Sequence, residues 1–259
     1  VGSEMCIRDR YVAVGSGGVW KTKNAGTTWM PLTDNMPFYS TGSITIDPND
    51  SSRIWVGTGE NVAGRHVGIG HGIYLSKDSG STWDDMGLNK SEHISKIIVH
   101  PDNSNIIWVA SQGPLWNSGG DRGLFMSTDG GNTWSNKLYV NEWTGVTDII
   151  IDPTNPDILY AATWQRHRNV ASLIDGGPGT SIYKSIDGGN TWNEIDSGLP
   201  SSNMGKIGLA ISPMKPEVIY AAIELDRRSG AVFRSDNSGG VWKKMSNTVA
   251  GATGPHYYQ

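Results

Sequence analysis

The sequence predicts an all-β fold, a β-propeller fragment with four complete four-stranded blades plus one partial N-terminal blade. Three observations predict it. A box of hydroxyl residue, any, Asp or Asn, any, Gly, any, usually Thr, then Trp recurs five times at roughly fifty-residue spacing, which signals a repeat architecture. An Ile-rich run closed by a polar residue and Pro lies upstream of the last four boxes. No stretch carries the 3.6-residue apolar period of a surface helix.

The boxes come first because they set the register. Their polar and aromatic anchors are Asn24 and Trp29, Asp78 and Trp83, Asp129 and Trp134, Asp187 and Trp192, and Asn237 and Trp242. Asp or Asn folds back onto the amides of a turn, and Gly takes the positive φ that other residues resist. Calcium would need six to eight oxygens, and each box offers at most one carboxylate, so the box reads as structural. Apolar pairs such as Ile73-Tyr74, Leu124-Phe125 and Ile182-Tyr183 bring a strand into each turn, and the Trp begins the returning strand.

The Ile-rich runs supply the first strand of each repeat: 44–48, 97–101, 149–153 and 209–213. Each is apolar on both faces, as a strand between neighbouring sheets must be, and Pro ends it because Pro cannot donate to a ladder. A second strand follows the polar turn, at 53–58, 106–111, 158–163 and 218–223. With the strands on either side of the box, each repeat is four antiparallel strands, A to D. The expected blades are 43–86, 94–138, 147–196 and 206–246, with 11–32 giving strands B to D of an earlier one and 247–259 entering another. Residues 1–10, which hold the only cysteine, Cys6, fall outside the pattern and read as a non-native leader. The propeller would then be partial at both ends.

Composition limits the partners. The chain of 259 residues has 34 glycines, 18% charged residues and a net charge of -4. It carries no basic stripe, so nucleic acid is not expected, and no apolar run approaches membrane-spanning length. One cysteine excludes a disulfide framework.

Strand parity sorts the loops. If the A–B turns and the boxes share one face, the B–C and D–A loops share the other. The first face has short, near-identical turns; the second has long, unlike ones at 59–72, 112–123, 164–180 and 224–230. Variable loops on a rigid scaffold are where function is expected. Trp116, Trp143 and Trp164 fall there and fit either stacking on a sugar or peptide or plugging gaps between blades. Glu60, Asp121, Glu142, Asp175, Glu224 and Asp226 are the loop carboxylates, Glu224 among them a candidate ligand-binding residue, with Asp148 at the mouth of a strand A. Glu60 and Asp148 are the candidate catalytic pair, since glycoside hydrolysis needs two carboxyl groups roughly 5–10 Å apart. Their structural alternatives are Lys96 as a partner for Asp148 and loop amides for Glu60. Arg166 and Arg168 are candidate ligand forks; Arg65 and Arg122 read as loop ties, and Arg227 and Arg228 share the face. His93 enters it as a candidate polar lining residue. His66 and His71 share a loop with Glu60, but no regular spacing aims them at one ion, and neither metal nor cofactor is expected.

These residues bear a family resemblance. The Ser-x-Asp-x-Gly-x-Thr-Trp copies resemble the Asp-box, or BNR, repeats of sialidases, xyloglucanase-type glycoside hydrolases and sortilin-type receptors. The strings at 17–22, 55–61, 93–94, 176–179 and 254–259 are similar to those of large secreted bacterial BNR and sortilin-like, glycosyl-hydrolase-like proteins. The resemblance implies the propeller and a secreted, periplasmic or cell-surface location. A sialidase would carry an Arg-Ile-Pro segment, which is absent here. The Asp that the xyloglucanase type places in its first blade belongs to a segment this sequence lacks. Three functions therefore stay open. The first is a platform binding a glycan or a protein or peptide chain, the second a glycoside hydrolase-like enzyme. The third is an assembly propeller whose partner is the remaining blades or domains of its own chain.

Overall fold

The computed structural model describes residues 9–225 and 229–248. The segments 1–8 and 249–259, with Cys6, and Asp226, Arg227 and Arg228 lie outside the described residues. The described chain is all β, arranged as five antiparallel sheets in sequence order. The first sheet joins β1 (Arg10–Val14), β2 (Gly18–Thr22) and β3 (Met30–Pro31). The second runs β4 (Thr41–Asp47), β5 (Asp50–Thr58), β6 (Ile73–Ser76) and β7 (Asp84–Asp85). The third repeats it with β8 (Ile94–His100), β9 (Asn103–Ser111), β10 (Gly123–Ser127) and β11 (Ser135–Leu138). In the fourth, β12 (Thr144–Ile151) and β13 (Leu159–Arg168) lead to β15 (Ile182–Ser185) and β16 (Asn193–Glu194). A short β14 (Leu173–Asp175) folds back on the end of β13. The fifth is β17 (Ile207–Ile211), β18 (Ile219–Leu225), β19 (Ser229–Ser235) and β20 (Lys243–Thr248). Each is a blade.

Apolar residues pack between consecutive blades rather than in one central core. Val19 and Phe38 meet Val56 and Tyr74 between the first two blades. Trp55 and Leu75 meet Ile97 and Val109 between the next two. Trp108 and Met126 meet Ile149 and Ala161, and Tyr160 and Ile182 meet Leu209 and Ala221. Double-sided burial explains the near-continuous apolar runs of β8 and β12.

Each box closes by the same hydrogen bonds. In the fourth blade Ser185 Oγ accepts from Gly189 N (2.9 Å) and donates to Asp187 Oδ1 (2.8 Å). Asp187 then accepts from Thr191 N (2.9 Å) and Thr191 Oγ1 (2.6 Å). The second and third blades repeat this around Asp78 and Asp129. Thr22 with Asn24, and Ser235 with Asn237, make the neutral version. Hydrogen bonds from the Thr side chain and backbone hold Asp78, Asp129 and Asp187 down at a pKa of about 2.

Two predictions follow from the box geometry. Gly188 and Gly189 both have positive φ, but a Cβ on Gly189 would sit 2.5 Å from Trp108 Nε1, whereas one on Gly188 meets nothing closer than 3.5 Å. Gly189→Ala should therefore cost about 1–3 kcal/mol more than Gly188→Ala in denaturant unfolding. Equal losses would mean the close contact is irrelevant. The second prediction concerns pH. A depressed carboxylate pKa stabilises the fold above its unfolded value of 3.8, and that contribution is lost as pH falls through about 2. Asp187→Asn should lose less thermal stability than the wild type between pH about 4 and 2. An unchanged slope would contradict the assignment.

Candidate functional site

The long B–C and D–A loops gather on the face opposite the boxes. At the mouths of β4, β8 and β12 the ladder slips at the same place, next to Gly42, Ser95 and Thr147. Such bulges turn the side chains that follow. Here they bring Lys96 and Asp148 together. Lys96 Nζ lies 2.7 Å from Asp148 Oδ1, which also accepts from Ile149 N (2.9 Å), while Leu209 N donates to Oδ2 (2.8 Å). Asp148 thus ties three blades and has both oxygens engaged.

Glu60 is half-buried at the start of the β5–β6 loop. Its Oε2 accepts from Gly68 N (2.8 Å) and its Oε1 from Ser16 Oγ (3.3 Å). Its carbonyl receives His93 Nδ1 (2.9 Å), so Nδ1 carries the proton in the neutral ring and Nε2 presents a lone pair. Burial, then the nearby Arg166, push the His93 pKa well below the ordinary value, and Nε2 is buried with no hydrogen-bond partner among the described residues.

The arginines lie beneath the surface. Arg166 is fully buried: Nη1 donates to Val62 O (2.7 Å) and Nη2 to Gly113 O (3.3 Å). Arg168, also buried, donates from Nε to Ala63 O (3.1 Å). Arg122 donates to the carbonyls of Gln112 (2.7 Å), Trp143, Gly119 and Asn117 (3.2 Å each) and to that of Pro114. Three loops from three blades are tied by guanidinium forks aimed at main-chain carbonyls, and Arg65 adds a bond to Val170 O (3.2 Å). Burial lowers Arg166 to about 9 and Arg122 to about 10. Lys206, whose Nζ donates to Asn61 O (2.7 Å), falls to about 8, first by burial and then by Arg166.

The three loop tryptophans divide. Trp164 is 3% exposed and packs with Ala63, Val67 and Leu115 in an apolar cap, its ring beneath the Arg166 guanidinium at 5.0 Å. Trp116 and Trp143 stay half-exposed at the rim, and Trp143 leans on His167 at 4.0 Å. Glu224, half-buried near the end of β18, donates its N–H to Lys206 O (3.0 Å), and its Oε2 accepts from Lys206 N (3.4 Å). Among the described residues no three His, Cys, Asp or Glu side chains converge as a metal set.

Sequence reasoning missed Glu92. Its backbone is left-handed, with φ +64°, and its carbonyl accepts from Gly70 N (2.8 Å) against a bare Gly59. Its half-buried carboxylate receives no hydrogen bond or ion pair among the described residues. Burial raises its pKa, opposed by Arg166, Arg122 and His71. A non-Gly residue held at positive φ is strained, and no pattern of residue types announces it.

Comparisons with known proteins agree with this architecture. The sortilin-Vps10 family profile (sortilin, neurotensin receptor 3) matches residues 17–144. Xyloglucanases of Acetivibrio thermocellus and Hypocrea jecorina are each 26% identical, over 92% and 91% of this chain. An ancestral GH74 enzyme superposes with TM-score 0.70 at 22% identity, covering 92% of this chain and 29% of that one. A Niastella koreensis GH74 enzyme gives 0.67 at 17%, covering 92% and 36%. The chain is a BNR-type β-propeller. This propeller spans 29% and 30% of the two xyloglucanases' lengths.

The ties predict where the propeller face is vulnerable. Arg122→Lys replaces a five-donor fork by a point charge and should cost about 2–4 kcal/mol. Hydrogen exchange should quicken in residues 113–120 while the boxes stay protected. Unchanged exchange there would show that the fork does not hold the loop.

Proposed function

We propose that this propeller belongs to a glycan-acting, glycoside hydrolase-like protein and that its loop face carries the glycan. The observation behind this is Glu92, a half-buried carboxyl with no hydrogen bond or ion pair among the described residues, on a strained backbone, with Arg166, Arg122 and His71 as its charged neighbours, on the loop face that also carries the half-exposed indoles of Trp116 and Trp143. Unpaired ionisable groups of this kind concentrate at functional sites. The similarity to xyloglucanases over nine-tenths of the chain supports xyloglucan-type substrates.

In this reading Glu92, in its protonated form, gives its proton to the glycosidic oxygen as the bond to the anomeric carbon breaks. Water adds to that carbon and passes its proton to a second carboxylate. Of the two candidates named from the sequence, we assign this role to Glu60, whose neighbour Gly59 abuts the Glu92 backbone. Asp148, holding Lys96 and two amides, acts as a fastener. A platform that binds glycan without chemistry is the second reading, favoured by the engagement of both Glu60 and Asp148.

The outer blades bear on partners. Strand-B aromatics inside the stack are buried, whereas their counterpart Tyr220 is 38% exposed and Val12 and Val14 are similarly open. Further blades of the same chain fit these faces. No helix among the described residues is long and apolar enough to cross a membrane, and glycan chemistry fits an extracytoplasmic location.

The test uses the full-length protein on xyloglucan, recording retention and released reducing ends. Glu92→Gln should abolish release and leave retention intact. In the wild type, release should decline as pH rises through a value above the ordinary 4.5, because burial holds the proton on. Release that survives Glu92→Gln removes the acid assignment, and retention without release in the wild type selects the platform.

A further inference from the structure

A groove of about 290 Å³ opens between the β1–β2 turn and the segment that leads from β3 to β4. Its walls include Gly17, Gly18, Asp34, Met36, Pro37 and Tyr39. By strand parity both segments belong to the loop face. Contacts agree, because Ser16 in the same turn donates to Glu60 and Gly59 N donates to Ser40 O (2.9 Å). The groove therefore adjoins the carboxylate side of that face.

Its most prominent feature is Tyr39, whose side chain is 68% exposed. The ring is displayed on a pinned backbone. Tyr39 O accepts from both Gly17 N (3.1 Å) and Gly18 N (3.0 Å), and its neighbours Phe38 and Ser40 are buried. Phe38 packs against Tyr74 in a tilted pair with ring centroids 4.6 Å apart, which anchors the segment in the first inter-blade core. The floor beneath is kept bare. Gly18 has φ +66°, and a Cβ there would lie 2.2 Å from Thr33 Oγ1, the acceptor of Val19 N. Asp34 stands exposed at the edge, and no hydrogen bond or ion pair engages its carboxylate among the described residues.

We infer that this groove is a glycan subsite, in which Tyr39 stacks on the apolar face of a neutral sugar ring and Asp34 accepts from its hydroxyls. The inference rests on the glycan reading above and extends it outward from Glu60 to the first blade. An exposed aromatic on a rigid backbone loses little conformational freedom when a ring settles on it, which suits it as a platform. A bare glycine floor admits a flat ring. A lone carboxylate with free acceptor capacity suits hydroxyl donors. The acid at the edge and the chain's net charge of -4 disfavour an anionic sugar.

The test measures affinity of the full-length protein for neutral xyloglucan oligosaccharides of increasing length, by calorimetry. Tyr39→Ala should weaken binding of the longer oligosaccharides about three- to tenfold and leave the shortest unaffected. Tyr39→Phe should bind like the wild type, because stacking needs the ring and not the hydroxyl. Asp34→Asn should weaken binding in the same length-dependent way. Unchanged melting temperatures verify folding, as expected for such exposed positions. If the wild type binds and Tyr39→Ala binds equally at every length, the subsite is overturned while the glycan reading stands. If the wild type binds none of these oligosaccharides, both fall.

Discussion

The structure depends on a lock between each box from the second to the fifth and the blade before it. The box hydroxyl draws the Gly amide inward, and the glycine's left-handed backbone presents no side chain. Into that bare turn goes an aromatic ring from strand B of the preceding blade. Tyr11 Oη donates to Ser79 O (3.3 Å), Trp108 Nε1 to Gly188 O (3.0 Å) and Tyr160 Oη to Ser238 O (3.3 Å). Trp55 lies against Gly131 so closely that a Cβ there would come within 2.6 Å of its ring. A single turn therefore closes a hairpin and fastens two blades. Requirements this tight leave the box face little latitude for change.

The other face is held by different means. Its loops differ in length and sequence, so no shared motif can fasten them. Buried cations do this instead, donating to carbonyls that would otherwise lack partners. Arg122 gathers the 112–119 loop and Trp143, while Arg166 and Arg168 reach the 62–63 carbonyls. Burying this much charge has a cost, visible in the depressed pKa values of Arg122, Arg166 and Lys206. The result is a loop face made rigid at its centre, with Trp143, Glu92 and Tyr39 displayed around it. A groove so prepared loses less ordering entropy on meeting a ligand.

Much of this was legible in the sequence and some was not, for physical reasons. The boxes announce themselves because turn chemistry admits few residue types, and the Ile-Pro runs of β8 and β12 do so because a doubly buried strand must be apolar. The extension of β13 to Arg168 falls in the 164–180 stretch that the sequence predicts as loop. Its two-residue alternation is present, with Trp164, Arg166 and Arg168 buried and Gln165 and His167 half-exposed. Arginine at the inward positions disguises it, since that residue is seldom buried unless its donors are matched. The acceptors for Arg166 Nη1 and Nη2 and for Arg168 Nε are carbonyls from the loops at 62–63 and 113, and a carbonyl has no signature in sequence. Glu92 and Tyr39 were missed for a related reason. What distinguishes them is a backbone angle and a pinned main chain, neither of which is a property of residue type.

The two faces of the propeller thus follow from one economy of hydrogen bonding. Where every blade repeats the same polar turn, main-chain groups are satisfied locally, and the aromatic of the neighbouring blade completes the contact. Where loops diverge, carbonyls must find donors far along the chain, and long cationic side chains supply them. That second solution allows variation, because a fork can reach a carbonyl whatever residue bears it. Loops can then change length and display new side chains without disturbing the blades. Tyr220 shows the first solution at its limit. It occupies the strand-B position of Tyr160, yet it stands 38% exposed with Arg234 over its ring at 5.7 Å, since no further box among the described residues receives it. The rule that buries Trp55, Trp108 and Tyr160 against a following box thus accounts for its exposure.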